Sequence, residues 1–543
     1  MCTSQPSHAE CSGGCWWISP LRSFLLYLVL GFHATIDLII DMCFSWYFKG
    51  SKRVAPPVKK KILFNSAVEL ATEIKNQSLT SEEVVQAYID RIKEINPVLN
   101  CVVDDRFHAA LEEAKKIDES IKNGKYSEEE LKKKPFLGVP FSSKVSTMVK
   151  GLRHTIGLAS RRNIIADEDA DVVKAMREAG AIPLAVTNVP ELGMWYETWC
   201  MPHGQTYNPY DTTRTTGGSS GGEACLVSAC GSPIGIGTDI GGSLRMPAFF
   251  CGIFGHKPTT GLIPLKGLNR RSGNEVKSMV VAGPLCTHSE DLIPILRTLI
   301  GDKAKLLNLD AEVNPLKLKY YYMLDDSATP DGLSGDLRLS MVHQQLKRSM
   351  LKVVSYLKDQ NASVSEVWIS KMRYGLRLWR YWISQEPEKF ARELADREGE
   401  INVWTELPKK ILGMSDFSLP AMYRLVDDKL PKVNEKWARE TTAALLNEVT
   451  TLLGDDGVLL YPSHPFPAFY RNSSLLRPYN FSYTAVLNVL NFPVTQVPLG
   501  LNRDGLPVGV QVVAGPHKDH LCLAVAKELE KAFGGWVPPF QST

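Results

Sequence analysis

One stretch, from Thr215 to Arg245, restricts what this chain can fold into more than any other. It reads Thr-Thr-Gly-Gly-Ser-Ser-Gly-Gly-Glu, then a run of small and apolar residues, then Pro-Ile-Gly-Ile-Gly-Thr-Asp-Ile-Gly-Gly-Ser-Leu-Arg. Ser219 and Ser243 each sit in a glycine-flanked turn, twenty-four residues apart. Glycine reaches positive φ and lets backbone N–H groups approach a ligand without a Cβ in the way. A serine in such a turn can bring its hydroxyl and several N–H groups onto one carbonyl, a nucleophile beside an oxyanion site. Taken alone, either half reads equally well as a flexible linker or an anion-binding turn. The residues between them change that balance. Positions 223–230 suit a short helix and 233–238 a strand, so both serines fall at element ends, where reactive groups are usually held.

Two further stretches, and the continuation of this one, belong together. Leu137-Gly-Val-Pro-Phe-Ser-Ser ends in Lys144, Gly-Thr-Asp-Ile-Gly-Gly-Ser243 continues into Leu-Arg-Met-Pro, and Gly252-Ile-Phe-Gly-His-Lys-Pro-Thr-Thr-Gly261 follows. In this order they resemble the amidase signature family, over roughly residues 63–302 and 453–536. Residues 303–452 match it poorly. Within the family the resemblance is greatest to the membrane-associated fatty-acid amide hydrolases of the second type.

The resemblance implies a Ser–Ser–Lys hydrolase of fatty-acid amides. Ser243 would be the nucleophile, Ser219 the bridging serine and Lys144 the general base, then acid. The N–H groups of Ile240, Gly241, Gly242 and Ser243 would form the oxyanion hole. The implied fold is α/β, one large domain with a mixed central sheet flanked by helices. No cofactor is implied. The expected partners are a lipid-like amide and a membrane, and a homodimer is left open. One departure stands out, because the family often places an acidic residue directly after the lysine and this chain has Val145 there.

Other readings compete. Gly217-x-Ser219-x-Gly221 and Gly218-x-Ser220-x-Gly222 both satisfy the nucleophile-elbow pattern of an α/β-hydrolase esterase. That enzyme would need a downstream acid and histidine, and Asp456 and His464 are the nearest candidates. A related amidase acting on small amides or esters, or within an amidotransferase assembly, is a second alternative. A non-enzymatic membrane scaffold is a third.

Composition removes several classes. Net charge is only +3 over 543 residues, so no broad basic field points to nucleic acid. The 11 cysteines are scattered and odd in number, with no Cys-x-x-Cys, which argues against a disulfide framework and a zinc site. No His-Glu-x-x-His occurs, so a metal centre has no support.

Residues 1–61 read as a membrane-anchoring segment with a basic linker. Phe24 to Phe48 is mostly apolar and aromatic, and Lys49, Lys52, Arg53 and Lys59-Lys60-Lys61 follow. The longest charge-free run, between Arg22 and Asp37, is fourteen residues, whereas a spanning helix needs about twenty. His33, Asp37, Asp41 and Ser45 recur every four residues and share one helical face. A span with that stripe packed against a partner and an interfacial amphipathic anchor both fit. A basic flank would keep the following domain cytoplasmic if the segment spans.

Residues 62–543 read as the catalytic domain. Thr80-Ser-Glu-Glu83 has the form of a capping box. Behind it Val84, Val85, Tyr88, Ile89, Ile92 and Ile95 follow a helical period, which Pro97 is expected to end. Positions 139–145 suit a strand, with Pro140 marking an edge or a start. Helix at 171–179 followed by strand at 182–187 continues an α/β alternation. Strands at 457–461 and 507–514 and a helix at 520–533 close the chain. Residues 303–452 are helix-rich, and their aromatics Trp368, Tyr374, Trp379, Tyr381 and Trp382 read as core or as the wall of an acyl channel. Residues 409–422 set apolar side chains beside basic ones, a candidate membrane-facing lip.

Overall fold

The computed structural model describes residues 18–274, 278–325, 336 and 338–540, with side chains from Leu30 onward. Its centre is a mixed sheet of eleven strands. In chain order these are β1 (Val102–Asp105), β2 (Pro140–Lys144), β3 (Ile182–Thr187), β6 (Gly235–Asp239), β7 (Phe254–Lys257) and β8 (Val281–Cys286), then β9 (Lys319–Tyr322), β10 (Ser363–Glu366), β11 (Gly457–Tyr461), β12 (Val494–Leu501) and β13 (Pro507–Val513). The short strands β4 (Trp199–Cys200) and β5 (Gly204–Gln205) form a separate two-stranded ribbon. Across the large sheet the order is β1-β3-β2-β6-β8-β7-β12-β13-β11-β9-β10. The β3-β2-β6 triplet and the β11-β9-β10 edge pair in parallel, while β6 through β13 pair antiparallel.

Local chemistry accounts for the flanking elements. Ser66 with Glu69 and Thr80 with Glu83 close reciprocal capping boxes on helices Ala67–Lys75 and Ser81–Leu99. The periodic residues Val84, Val85, Tyr88, Ile89, Ile92 and Ile95 are all buried. Pro97 does not end that helix, which runs to Leu99 and stops on left-handed Asn100. A proline two residues from the end removes only one N–H from the last turn, a small loss there. Pro140 is the first residue of β2, and β2 lies in the sheet interior between β3 and β6. The proline therefore marks a strand start and not an edge.

Two apolar cores lie against the sheet. The larger gathers helices 67–99 and 171–178, the middle of the sheet, and the closing helix Asp519–Phe533. The second contains the aromatics of 368–382, Phe249, Phe250 and helix Ser482–Val489. Tyr381 is buried there, and Trp382 donates its indole N–H to Thr442. Trp368, Tyr374 and Trp382 pack half-buried against this core, and Trp379, buried in it, also faces a pocket.

At the N-terminus, Ile18–Tyr47 forms one helix. Among the described residues no helix is long and apolar enough to cross a membrane. Its polar stripe docks on the same chain: Asp37 and Asp41 pair with Arg477 at 2.7 and 2.9 Å. Residues 48–61, grouped with this segment on sequence grounds, pack on the body of the protein. Phe48 stacks on Tyr470, Ala55 donates to the Pro209 carbonyl, and buried Arg91 reaches the carbonyls of Pro56 and Pro57.

Candidate active site

β2 and β6 run parallel, with Ser143 opposite Ile236, so Lys144 and Thr238 emerge together at the same end of the sheet. Helix Gly221–Ser228 starts beside them and carries the serine turn on its N-terminal side. The two glycine-serine turns meet through their backbones, with the Ser220 N–H donating to the Ser243 carbonyl at 2.9 Å. Ser220 itself braces β6, its hydroxyl exchanging 3.3 Å hydrogen bonds with the Thr238 backbone.

Lys144 is fully buried. Its Nζ lies 2.9 Å from Ser219 Oγ and 2.6 Å from Thr238 Oγ1. Burial pushes its pKa down to about 7, against the opposing pull of the Asp239 and Glu223 carboxylates. Glu223, on the first turn of helix Gly221–Ser228, is itself lifted to about 7 by burial. It accepts hydroxyl hydrogen bonds from Ser142 and from Thr187, the latter at 2.6 Å. Val145 contributes no charge: its side chain is buried in the main core and its N–H donates to the Thr187 carbonyl. The acidic neighbours of this lysine come from β6 and a helix, elements distant in sequence.

The turn 240–243 is held from outside. Asp239 accepts the Gly242 N–H at 2.8 Å and the Leu244 N–H at 3.1 Å. Burial alone would raise the Asp239 carboxyl, but Arg245, with Asn488 and Lys257, holds it well below the usual carboxylate range. Trp379 donates its indole N–H to the Ile240 carbonyl at 2.8 Å, and the Thr484 hydroxyl donates to the Gly241 carbonyl at 2.8 Å. With those carbonyls engaged, the N–H groups of Ile240, Gly241 and Ser243 have no protein acceptor among the described residues. The Gly242 N–H, expected to point at substrate with the other three, is occupied by Asp239. A carboxylate inside a five-residue turn captures the nearest donor.

Ser243, 8 % exposed, opens onto an apolar slot lined also by Gly193, Ile240 and Gly241. Tyr196, Trp379, Tyr423 and Phe481 supply aromatic walls. Gly193 backs directly onto Ser219, since a Cβ there would lie 3.2 Å from its Oγ. No group of acidic, histidine or cysteine side chains suited to a metal ion occurs among the described residues.

The elbow alternative is not assembled. His464 is buried against Phe250 and Phe469, bonds the Phe466 backbone, and is pushed down to about 3 by burial. Asp456 lies half-exposed and pairs with Lys319. Neither is bonded to Ser219 or Ser220.

Of the residues singled out from sequence, Lys144 and Ser219 are in contact, and Ser243 and the 240–242 turn adjoin them through the Ser220 backbone. From sequence Thr238 reads as bracing a turn and Trp379 as core or channel wall, while Glu223 and Thr484 are not assigned to the site. Glu223 stands inside the motif, where a buried polar group needs a partner. Nothing local marks Thr484 or the contact Trp379 makes with the turn, since both arrive from far along the chain.

The turn yields a direct test. Gly242 has φ +115°, and a Cβ there would stand 2.0 Å from Thr484 Oγ1. Gly500 has φ +86°, and a Cβ there would meet no atom within 4 Å. Gly242→Ala should cost at least about 2 kcal/mol of stability, from strain and overpacking together. Gly500→Ala should cost only about 1 kcal/mol, from strain alone. Denaturant unfolding of both variants checks this; equal losses would contradict the packing described.

Comparison with known proteins agrees with the geometry. The amidase family profile matches residues 83–523. Fatty-acid amide hydrolase 2 of Homo sapiens is 43% identical over 502 residues, covering 90% of this chain and 93% of that protein. Fatty-acid amide hydrolase 2-B of Danio rerio is 42% identical, covering 90% and 94%. The solved structure of a fatty acid amide hydrolase superposes with a TM-score of 0.70 at 21% identity, covering 89% of this chain and 87% of that one. That last likeness speaks to fold alone. With a mixed sheet, a buried lysine beside two glycine-serine turns, and a family match spanning both, the chain belongs to the amidase signature family.

Proposed function

We propose that this protein hydrolyses fatty-acid amides to a free fatty acid and an amine, with Ser243 as nucleophile, Ser219 as bridge and Lys144 as base and then acid. The observation that carries the reading is a fully buried lysine 2.9 Å from Ser219, beside the turn whose Ser243 lines an apolar slot. An ordinary lysine, with a pKa near 10.4, would be charged at neutral pH and useless as a base. One held near 7 has a lone pair available. Thr238 accepts an N–H of Lys144, which helps hold the amine against Ser219.

In the acylation step Ser243 Oγ bonds to the substrate carbonyl carbon. Its proton passes to Ser219 while the Ser219 proton passes to Lys144. The developing oxyanion is met by the N–H groups of Ile240, Gly241 and Ser243. Lys144 then returns the proton through Ser219 to the nitrogen as the C–N bond breaks, and the amine leaves. Water repeats the sequence on the acyl-enzyme and releases the acid. The apolar slot suits an acyl chain, and the relatives named for fatty-acid amides support that substrate class.

We also propose that the protein associates with membranes from the surface. On the helix Ile18–Tyr47, Phe32, Leu38, Ile39, Met42, Trp46 and Tyr47 are exposed, opposite the stripe docked on Arg477. Ile411, Leu412 and Met414 form a second exposed apolar group in the segment expected as a lip, and Trp404 is exposed just before it. An interfacial helix buries one apolar face and keeps its polar face elsewhere, which is the division present here.

Three outcomes follow. A serine-directed fluorophosphonate should label Ser243, and Ser243→Ala should abolish labelling and amide turnover; a mass-mapped adduct on Ser219 or Ser220 with Ser243→Ala still active refutes the assignment. On matched long-chain amide and ester, kcat/KM for the amide should rise with pH as Lys144 loses its proton, with a midpoint near 7. Lys144→Ala should flatten that limb and cost the amide roughly 10²–10⁴-fold, more than the ester. A preference for acetyl over long-chain amides would favour the small-amide reading instead. In flotation with phosphatidylcholine vesicles the full-length protein should rise with the lipid, and replacing Leu38, Ile39, Met42 and Trp46 by serine should weaken this; a protein that stays at the bottom of the gradient excludes the membrane reading.

A further inference from the structure

The N-terminal helix does more than present an apolar face. Its inner stripe ends in a buried cluster around one arginine. Arg477 Nε donates to Asp37 Oδ1 at 2.7 Å and a terminal nitrogen donates to the Asp37 carbonyl at 2.6 Å. Its other terminal nitrogen lies 2.9 Å from Asp41 Oδ1, and His33 pairs with the second Asp37 oxygen at 3.4 Å. The guanidinium lies over the Phe466 ring at 4.5 Å, and the side chain is only 3 % exposed. A charge so placed is stable only while its carboxylates stay in position.

The same residue borders the slot that Ser243 faces. The Arg477 carbonyl accepts the Tyr196 hydroxyl, and Tyr196 is a wall of the slot. The chain then runs directly into Pro478, Tyr479 and Phe481, which line it as well. Phe481 packs edge-on against Trp379 at 4.9 Å, and Trp379 holds the Ile240 carbonyl. An unbroken path of contacts thus joins Asp37 on the N-terminal helix to the turn that carries Ser243.

We infer that Arg477, clamped by Asp37 and Asp41, is a positioning residue for the acyl-binding wall, and that the N-terminal helix is thereby a working part of the substrate site. This rests on the amide-hydrolase reading above. The clamp fixes where Tyr196 and residues 478–481 stand, so it governs how well a long chain fits and leaves the proton relay at Lys144 untouched. A helix whose outer face meets lipid and whose inner face sets the slot wall ties the position of the protein on a membrane to access for a lipid-like substrate.

The test uses full-length protein in detergent, with kcat and KM measured on a long-chain and an acetyl amide of the same amine. The rate at which a small fluorophosphonate labels Ser243 is followed in parallel. Asp37→Asn with Asp41→Asn should raise KM for the long-chain amide about tenfold, with kcat, the acetyl-amide KM and the labelling rate within about twofold of wild type. Arg477→Lys, keeping the cation with fewer donors, should fall between. Should the double variant not fold, Asp41→Asn alone, at the more exposed partner, should raise the long-chain KM about two- to threefold. An unchanged long-chain KM in a folded variant overturns the inference, as does an equal loss on both substrates together with slower labelling, the mark of general destabilisation. Wild-type protein that turns over no amide would sink the parent reading instead.

Discussion

The site depends on one fully buried ion pair, Asp239 with Arg245. A carboxylate and a guanidinium removed from water on this scale gain little net stability over an apolar substitute of equal volume. What the pair supplies is shape. Arg245 satisfies Asp239 from one side and is itself held by Gln511, Asn488 and the Thr484 carbonyl. Asp239 is thereby kept ionised and free to gather the N–H groups of Gly242, Leu244 and Arg245. Ile240, Gly241 and Ser243, whose N–H groups Asp239 does not take, line the slot. The same negative charge opposes the burial of Lys144, setting how far its pKa falls.

Two opposed demands are met at Lys144. Reaction needs an uncharged amine at neutral pH, which calls for burial. Burial without hydrogen-bond partners would cost several kcal/mol for the polar group alone. The hydroxyls of Ser219 and Thr238 satisfy the nitrogen without supplying a counter-charge. A hydroxyl can both give and take a proton, so on the proposed mechanism Ser219, which helps make burial tolerable, is also the group that passes the proton.

The slot is assembled differently from the relay. Ser243 and Gly241 of its lining come from the signature turns, while the rest comes mainly from residues 193–196, 376–427 and 478–481. Trp379 joins the two, touching the turn with its indole N–H and the aromatic wall with its ring. The N-terminal helix enters the same wall through Arg477.

The sequence alone determined the reactive end. Glycines that permit positive φ, serines at fixed offsets and a lysine closing a strand are local requirements of backbone and chemistry, and they are written contiguously. The capping box at Thr80 and the buried period behind it were legible for the same reason. Pro97 misled because a proline says which N–H is absent and not whether the fold needed it there, whereas Pro140 does open its strand. The tertiary structure decided the rest: that Asp239 takes the Gly242 N–H, that Thr238 and Glu223 flank the lysine where Val145 does not, that Trp379 and Thr484 brace the turn, and that Asp37 meets Arg477. Each of these joins side chains brought together by folding, often from distant segments. Direction and partner in such contacts are set by how helices pack on the sheet, and no local pattern encodes that packing.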